Sequence, residues 1–176
     1  MGLDASLSST GFAIYDTELG DFVRAEKIRT SIKKDTPTQA SRVRQICMEL
    51  SHIMFWEAVD VVLIEDIYIG MQQPSSVIPL AILRGAIQET VYGLNYDSLL
   101  VTESSKIKKC VVGKGNASKE DVYNELKRKY IHSKTVIHAL GEQLNCKNNK
   151  DKNEDISDAI ALIDAYLSDP SIVYPA

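Results

Sequence analysis

Long hydrophobic runs are missing from this 176-residue chain. Apolar stretches such as VVLI at 61–64 fall far short of the ~20 residues needed to cross a bilayer. The N-terminus lacks a basic start and a following apolar core, so no signal peptide is expected and the protein is read as cytoplasmic. Cysteine is scarce. Cys47, Cys110 and Cys146 are odd in number, far apart and never in a C-x-x-C pattern. That excludes a disulfide or zinc framework and fits reduced thiols. Internal repeats and low-complexity linkers are absent too. No P-loop or dinucleotide fingerprint occurs, because GKGNAS at 113–118 has the spacing of neither.

What is present is an ordinary globular composition, 44% apolar and 25% charged. The length predicts one domain over 1–176 with a substantial core. Net charge is −4, but it is unevenly spread. Residues 106–134 hold nine Lys/Arg against three acids, a local +6, which leaves −10 on the rest. A basic segment in an acidic protein points to a polyanion on one face, although such runs also serve simply as solvated helix surface.

Residues 11–16 and 22–30 are rich in β-branched and aromatic side chains and flank a Gly20 turn. With the opening residues they predict three antiparallel strands. Residues 36–58 have helical spacing, DVVLIED at 60–66 reads as a buried strand, and 74–94 reads as a helix with Pro79 in its early turns. A strand is predicted at 98–102. A helix over 116–130 is opened by Ser118 and Asp121 in capping-box spacing, and a last helix covers 154–167. The segment 131–153 suggests one short helix and a polar loop. This order predicts an α/β fold with a five-stranded mixed sheet flanked by helices.

Three places set acids against apolar structure. Asp4 heads a strand, and Glu65 ends a strand expected to be central. In EDISDA, Asp155 and Asp158 are spaced i, i+3, while Glu154 and Asp158 are spaced i, i+4, so spacing leaves open which acid partners Asp158. Taken singly, each has a structural explanation, such as a turn or a helix N-terminus. Taken together, Asp4, Glu65, Asp155 and Asp158 suggest a convergent carboxylate site. Like charges drawn together disfavour joint ionisation, and a hard divalent cation, Mg²⁺ or Mn²⁺, removes that cost. Two such ions suit in-line phosphodiester hydrolysis.

Several stretches resemble one family, the RuvC-type Holliday-junction resolvases within the RNase H-like nucleases. GLDASLSSTGFAI resembles that family's opening strand and turn, and VLIEDIY its second acidic site. LRGAI, KIKKCVVGKGNASKEDV and DISDAIAL follow in the family's order, so the resemblance runs from about 1 to 167. It implies catalytic acids at Asp4, Glu65, Asp155 and Asp158, which favours Asp155 over Glu154. It implies phosphate contacts from Lys108 and Lys119, and an aromatic near the junction centre at Tyr68, able to stack on an unpaired base. Arg84, Lys106, Lys109 and Lys114 join the expected DNA-binding set. A homodimer on branched DNA, two metal ions per site and a bacterial or phage-infected cytoplasm are further implications. The lead-in before Asp4 is short, 131–153 is long for the family, and MQQPSS at 71–76 departs from its pattern. These departures point to a phage-encoded member.

Other readings are a related nuclease acting on flaps, other branched DNA or RNA–DNA hybrids, an actin-like ATPase lobe, and a non-catalytic junction binder. The chain is too short for the two lobes of the ATPase, and a pure binder has no use for four phosphate-repelling acids.

Overall fold

The structure is a computed structural model that describes residues 1–30, 38–67, 74–94, 99–141 and 153–176. Three strands open the chain: β1 (Gly2–Asp4), β2 (Ser9–Asp16) and β3 (Asp21–Arg29). They meander antiparallel, with Asp4 opposite Gly11 and Gly11 opposite Lys27. β4 (Val62–Glu65) lies parallel to β1, and β5 (Leu99–Thr102) lies parallel to β4. β6 (Tyr174–Pro175) closes the row antiparallel to β5, giving the order β3-β2-β1-β4-β5-β6.

The mixed sheet is as expected, but among the described residues it has six strands rather than five. The sixth is a two-residue strand in the C-terminal tail. It is too short to show a period of two in the sequence, and it pairs with an edge that β5 would otherwise leave open.

Helices cover both faces. α1 (Gln39–Trp56) starts at Thr38, whose side chain accepts from the Ser41 backbone N–H, and it buries Val43, Ile46, Leu50 and Met54 at helical spacing. With α2 (Pro74–Leu94) it packs on Leu3, Phe12, Ile14, Val62, Ile64, Leu99 and Val101. The opposite face carries α3 (Ser104–Val112), α4 (Lys119–Lys129), α5 (Lys134–Leu140) and α6 (Glu154–Ser168) over Ala13 and Leu63. The residues of α3 had no predicted helix. Ile107 and Val111, one turn apart, are its buried contacts, and Gly113 ends it with φ 84°. α4 has the predicted capping box between Ser118 and Asp121.

Strand alternation decides where the acids go. Leu3 and Ile64 face the α1–α2 layer, so Asp4 and Glu65, one residue on, face α6. α6 lies so close to the sheet that a Cβ on Gly2 would sit 2.2 Å from the Ala159 carbonyl oxygen, and one on Gly11 2.1 Å from that of Asp155. These two glycines let the helix descend onto β1 and β2 with Asp155 and Asp158 near its leading end.

Candidate active site

Asp4 ends β1 and Glu65 ends β4, at the carboxyl edge of the parallel pair where open α/β sheets gather ligands. A cavity of about 290 Å³ opens there, lined by Asp4, Glu65, Asp158, Lys108, Lys119 and Arg84 among others. Asp158 enters it from the second turn of α6. Lys108 comes from α3, and Lys119 is the first residue of α4. Its ammonium lies 2.7 Å from Asp158 Oδ2 and 3.7 Å from Glu154 Oε2.

The acids strain against one another. Burial, then the charges of Asp158 and Asp155, raise the Asp4 carboxyl to about 7, while Lys119 pulls the other way. Burial also raises Glu65, against a hydrogen bond from Ser104 and the charges of Lys119 and Lys108. Burial alone would lower the Lys119 ammonium, but its hydrogen bond to Asp158 and the surrounding acids raise it overall.

Asp155 stands apart from that cavity, although its charge reaches Asp4. Ser9 Oγ donates to its Oδ2 at 2.6 Å, and Lys27 Nζ lies 3.0 Å from the same oxygen. Burial pushes this carboxyl up, and the Ser9 and Lys27 contacts outweigh it, so it ends below the ordinary range. Gly11 makes the arrangement possible. Gly11→Ala drives a Cβ into the Asp155 backbone, which cannot swing aside as a flexible side chain would. The expected cost is roughly 1–3 kcal/mol in urea denaturation. Displacement of Asp155 should also slow cleavage at least about tenfold.

The remaining candidates scatter. Arg84 Nη1 donates to the Glu65 carbonyl at 3.0 Å, so it braces the end of β4. Lys106 pairs with Glu103 at 3.2 Å and lies over the Tyr174 ring. Lys109 and Lys114 are exposed and outside the cavity lining. Tyr68 lies outside the described residues. Part of the basic run is already paired within the chain: exposed Lys129 with buried Asp164, and exposed Arg128 with Glu125.

Sequence reasoning missed Ser9, Lys27 and Ser104. Ser9 lies before the strand predicted at 11–16, and Lys27 shares a face with Gly11 only through the β2–β3 register, which no local pattern reveals. Ser104 opens the helix that was not predicted.

Among the described residues, no three histidine, cysteine, aspartate or glutamate side chains already stand together as a metal-holding group. Lys119 and Lys27 supply the cationic charge instead. The donor set has the chemistry of a hard divalent ion all the same. Asp4, Glu65 and Asp158 offer carboxylate oxygen alone, and burial together with the neighbouring acids holds Asp4 near 7.

Residues 1–164 match the family model "Crossover junction endodeoxyribonuclease RuvC". The chain belongs to the RuvC family. It is therefore a junction-resolving endodeoxyribonuclease, as the resemblance implied. RuvC of Campylobacter jejuni is 30% identical over 162 residues, covering 92% of this chain and 89% of that protein. RuvC of Chlamydia caviae is 32% identical over 167 residues, covering 92% and 88%. Thermus thermophilus RuvC in complex with a Holliday junction substrate shares the fold, with a TM-score of 0.74 over 99% of this chain and 97% of that one at 14% identity. The yeast mitochondrial Holliday junction resolvase has a TM-score of 0.59 at 15% identity, covering 95% and 76%. The RuvC fold is thus kept in this resolvase, with the acid-bearing strand ends under α6. No helix among its described residues is long and apolar enough to cross a membrane.

Proposed function

We propose that residues 1–176 act as one nuclease domain that resolves four-way DNA junctions by paired nicks, with Asp4, Glu65, Asp155 and Asp158 holding two Mg²⁺ or Mn²⁺ ions. The observation that carries this is the crowding of carboxylates at the ends of β1 and β4 beneath α6, beside two lysines. Bound divalent ions would supply activation of the attacking water and neutralisation of charge on the leaving oxygen. In the hydrolysis a water oxygen bonds to phosphorus as one ester P–O bond breaks.

The chain's own residues do the rest. Arg84 fixes the end of β4 through the Glu65 carbonyl, and Ser104 orients the Glu65 carboxylate. Lys108 and Lys119 hold phosphates of the scissile strand. Lys119 can exchange Asp158 for a phosphate because its side chain is 57% exposed. Each alanine variant should weaken junction binding and reduce the salt slope by about one unit per lost contact. An unchanged slope would remove that lysine from the interface. A homodimer in which each copy nicks one of two opposed strands matches a two-fold symmetric substrate. Sedimentation with and without junction tests it, and a monomer in both states would contradict it.

The reading is tested by cleavage in Mg²⁺ of a four-way junction, a three-way branch, a flap, an RNA–DNA hybrid and plain duplex of matched sequence. Symmetric nicks confined to the four-way junction are expected. Equal cutting of the flap or hybrid would move the substrate elsewhere.

A further inference from the structure

We propose that Ser9 and Lys27 are positioning residues for the Asp155 carboxylate, fixing which of its oxygens is left to the catalytic centre. This rests on the reading of Asp155 as a metal ligand. Neither residue belongs to the acid set or to the pair of cavity lysines.

The geometry is a product of register. Lys27 sits directly across from Gly11, and Ser9 lies two residues before Gly11 on the same strand. All three point to the face where α6 packs. Because Gly11 has no side chain, Asp155 settles over it, within reach of both Ser9 and Lys27. Both contacts fall on Oδ2, from Ser9 Oγ at 2.6 Å and Lys27 Nζ at 3.0 Å. Among the contacts of the described residues, Oδ1 is the oxygen that remains. The Lys27 side chain is only 13% exposed, unlike an ordinary solvated lysine.

The first turn of α6 needs such an anchor. Its N-cap residue, Asn153, makes no capping hydrogen bond and donates to the Ala139 carbonyl instead. Of the acids, Asp4 and Glu65 are fixed by the sheet itself. Asp155 sits at the start of a helix and is tied to the sheet by Ser9 and Lys27. Partners of this kind orient metal ligands, and losing one typically costs 10–100-fold in metal affinity or activity.

The test compares Lys27→Met, Lys27→Arg, Ser9→Ala and Asp155→Asn with wild type. Mn²⁺ binding is measured by calorimetry on the protein without DNA, and the half-saturating Mn²⁺ is measured in junction cleavage. Lys27→Met should bind Mn²⁺ about tenfold more weakly and raise half-saturation by the same factor. Lys27→Arg should recover most of that loss, and Ser9→Ala should shift in the same direction by less. Mn²⁺ binding that is unchanged or tighter in both Lys27→Met and Ser9→Ala overturns the inference; a tighter value would make Lys27 a competing cation. Asp155→Asn separates the two levels. If it binds Mn²⁺ and cuts as wild type does, the ligand reading falls and this inference with it. If it loses both while Lys27→Met keeps both, only the positioning role falls.

Discussion

Asp4→Asn and Glu65→Gln should each lower junction cleavage by about 10²-fold or more while leaving junction binding nearly intact. Both changes keep side-chain size and remove one charge, so the fold has little to repack. Each change removes a charged oxygen from the proposed hold on the divalent ions, and losing one part of such transition-state charge stabilisation typically costs catalysis on the order of 10²–10³. Binding is set mainly by phosphate contacts, the role proposed for Lys108 and Lys119, and losing an acid reduces repulsion. The split between cleavage and binding is the signature. Labelled junctions measure cutting in Mg²⁺, and gel mobility in EDTA measures binding. Near wild-type cutting by either variant would remove that acid from the centre.

Without divalent ions, the protein should lose stability as pH rises from about 4 to 7, and Asp4→Asn should abolish most of that slope. Burial and the Asp158 and Asp155 charges raise the Asp4 carboxyl from 3.8 to about 7 in the folded chain. Between those values the folded state binds more protons than the unfolded state, so stability falls with rising pH and levels off above 7. At ~1.4 kcal/mol per pH unit the group contributes at most ~4 kcal/mol to the slope. Glu65, also raised, adds in the same direction. Asp155 is lowered and acts oppositely, below its ordinary range. Guanidinium denaturation in EDTA at pH 5 and pH 8 reads the effect. Asp4→Asn should be the more stable protein at pH 8. Saturating Mg²⁺ should restore wild type there, by ~2.7 kcal/mol at a hundredfold excess over its dissociation constant. A wild-type curve as flat as that of Asp4→Asn would mean that neither burial nor the neighbouring acids raise the Asp4 carboxyl in the folded chain.

Much of this arrangement was legible in the chain. An acid after an apolar β run, found twice, marks the ends of the parallel strands, and alternation then puts Asp4 and Glu65 on one face. Helical spacing marked α1, α2 and α6, and Ser118 with Asp121 marked the start of α4. What stayed hidden depends on tertiary register. Nothing near Lys27 in sequence says that it lies across from Gly11 or that Asp155 will rest there. α3 was missed because nine residues with only two buried positions give little period to detect. β6 was missed because a two-residue strand has none. The basic run reads uniformly in sequence, yet buried Asp164, more than thirty residues away, takes the ammonium of the exposed Lys129 as its partner. Asp155 and Asp158 looked equivalent at i, i+3, but one meets β2 and β3 and the other the cavity.

Whether acids from β1, β4 and α6 make one metal-dependent centre can be read from anomalous diffraction of crystals soaked in Mn²⁺. Anomalous peaks are expected within coordination distance of Asp4, Glu65 and Asp158, with Lys119 withdrawn from Asp158. Peaks elsewhere, with Lys119 still bound to Asp158, would contradict such a centre.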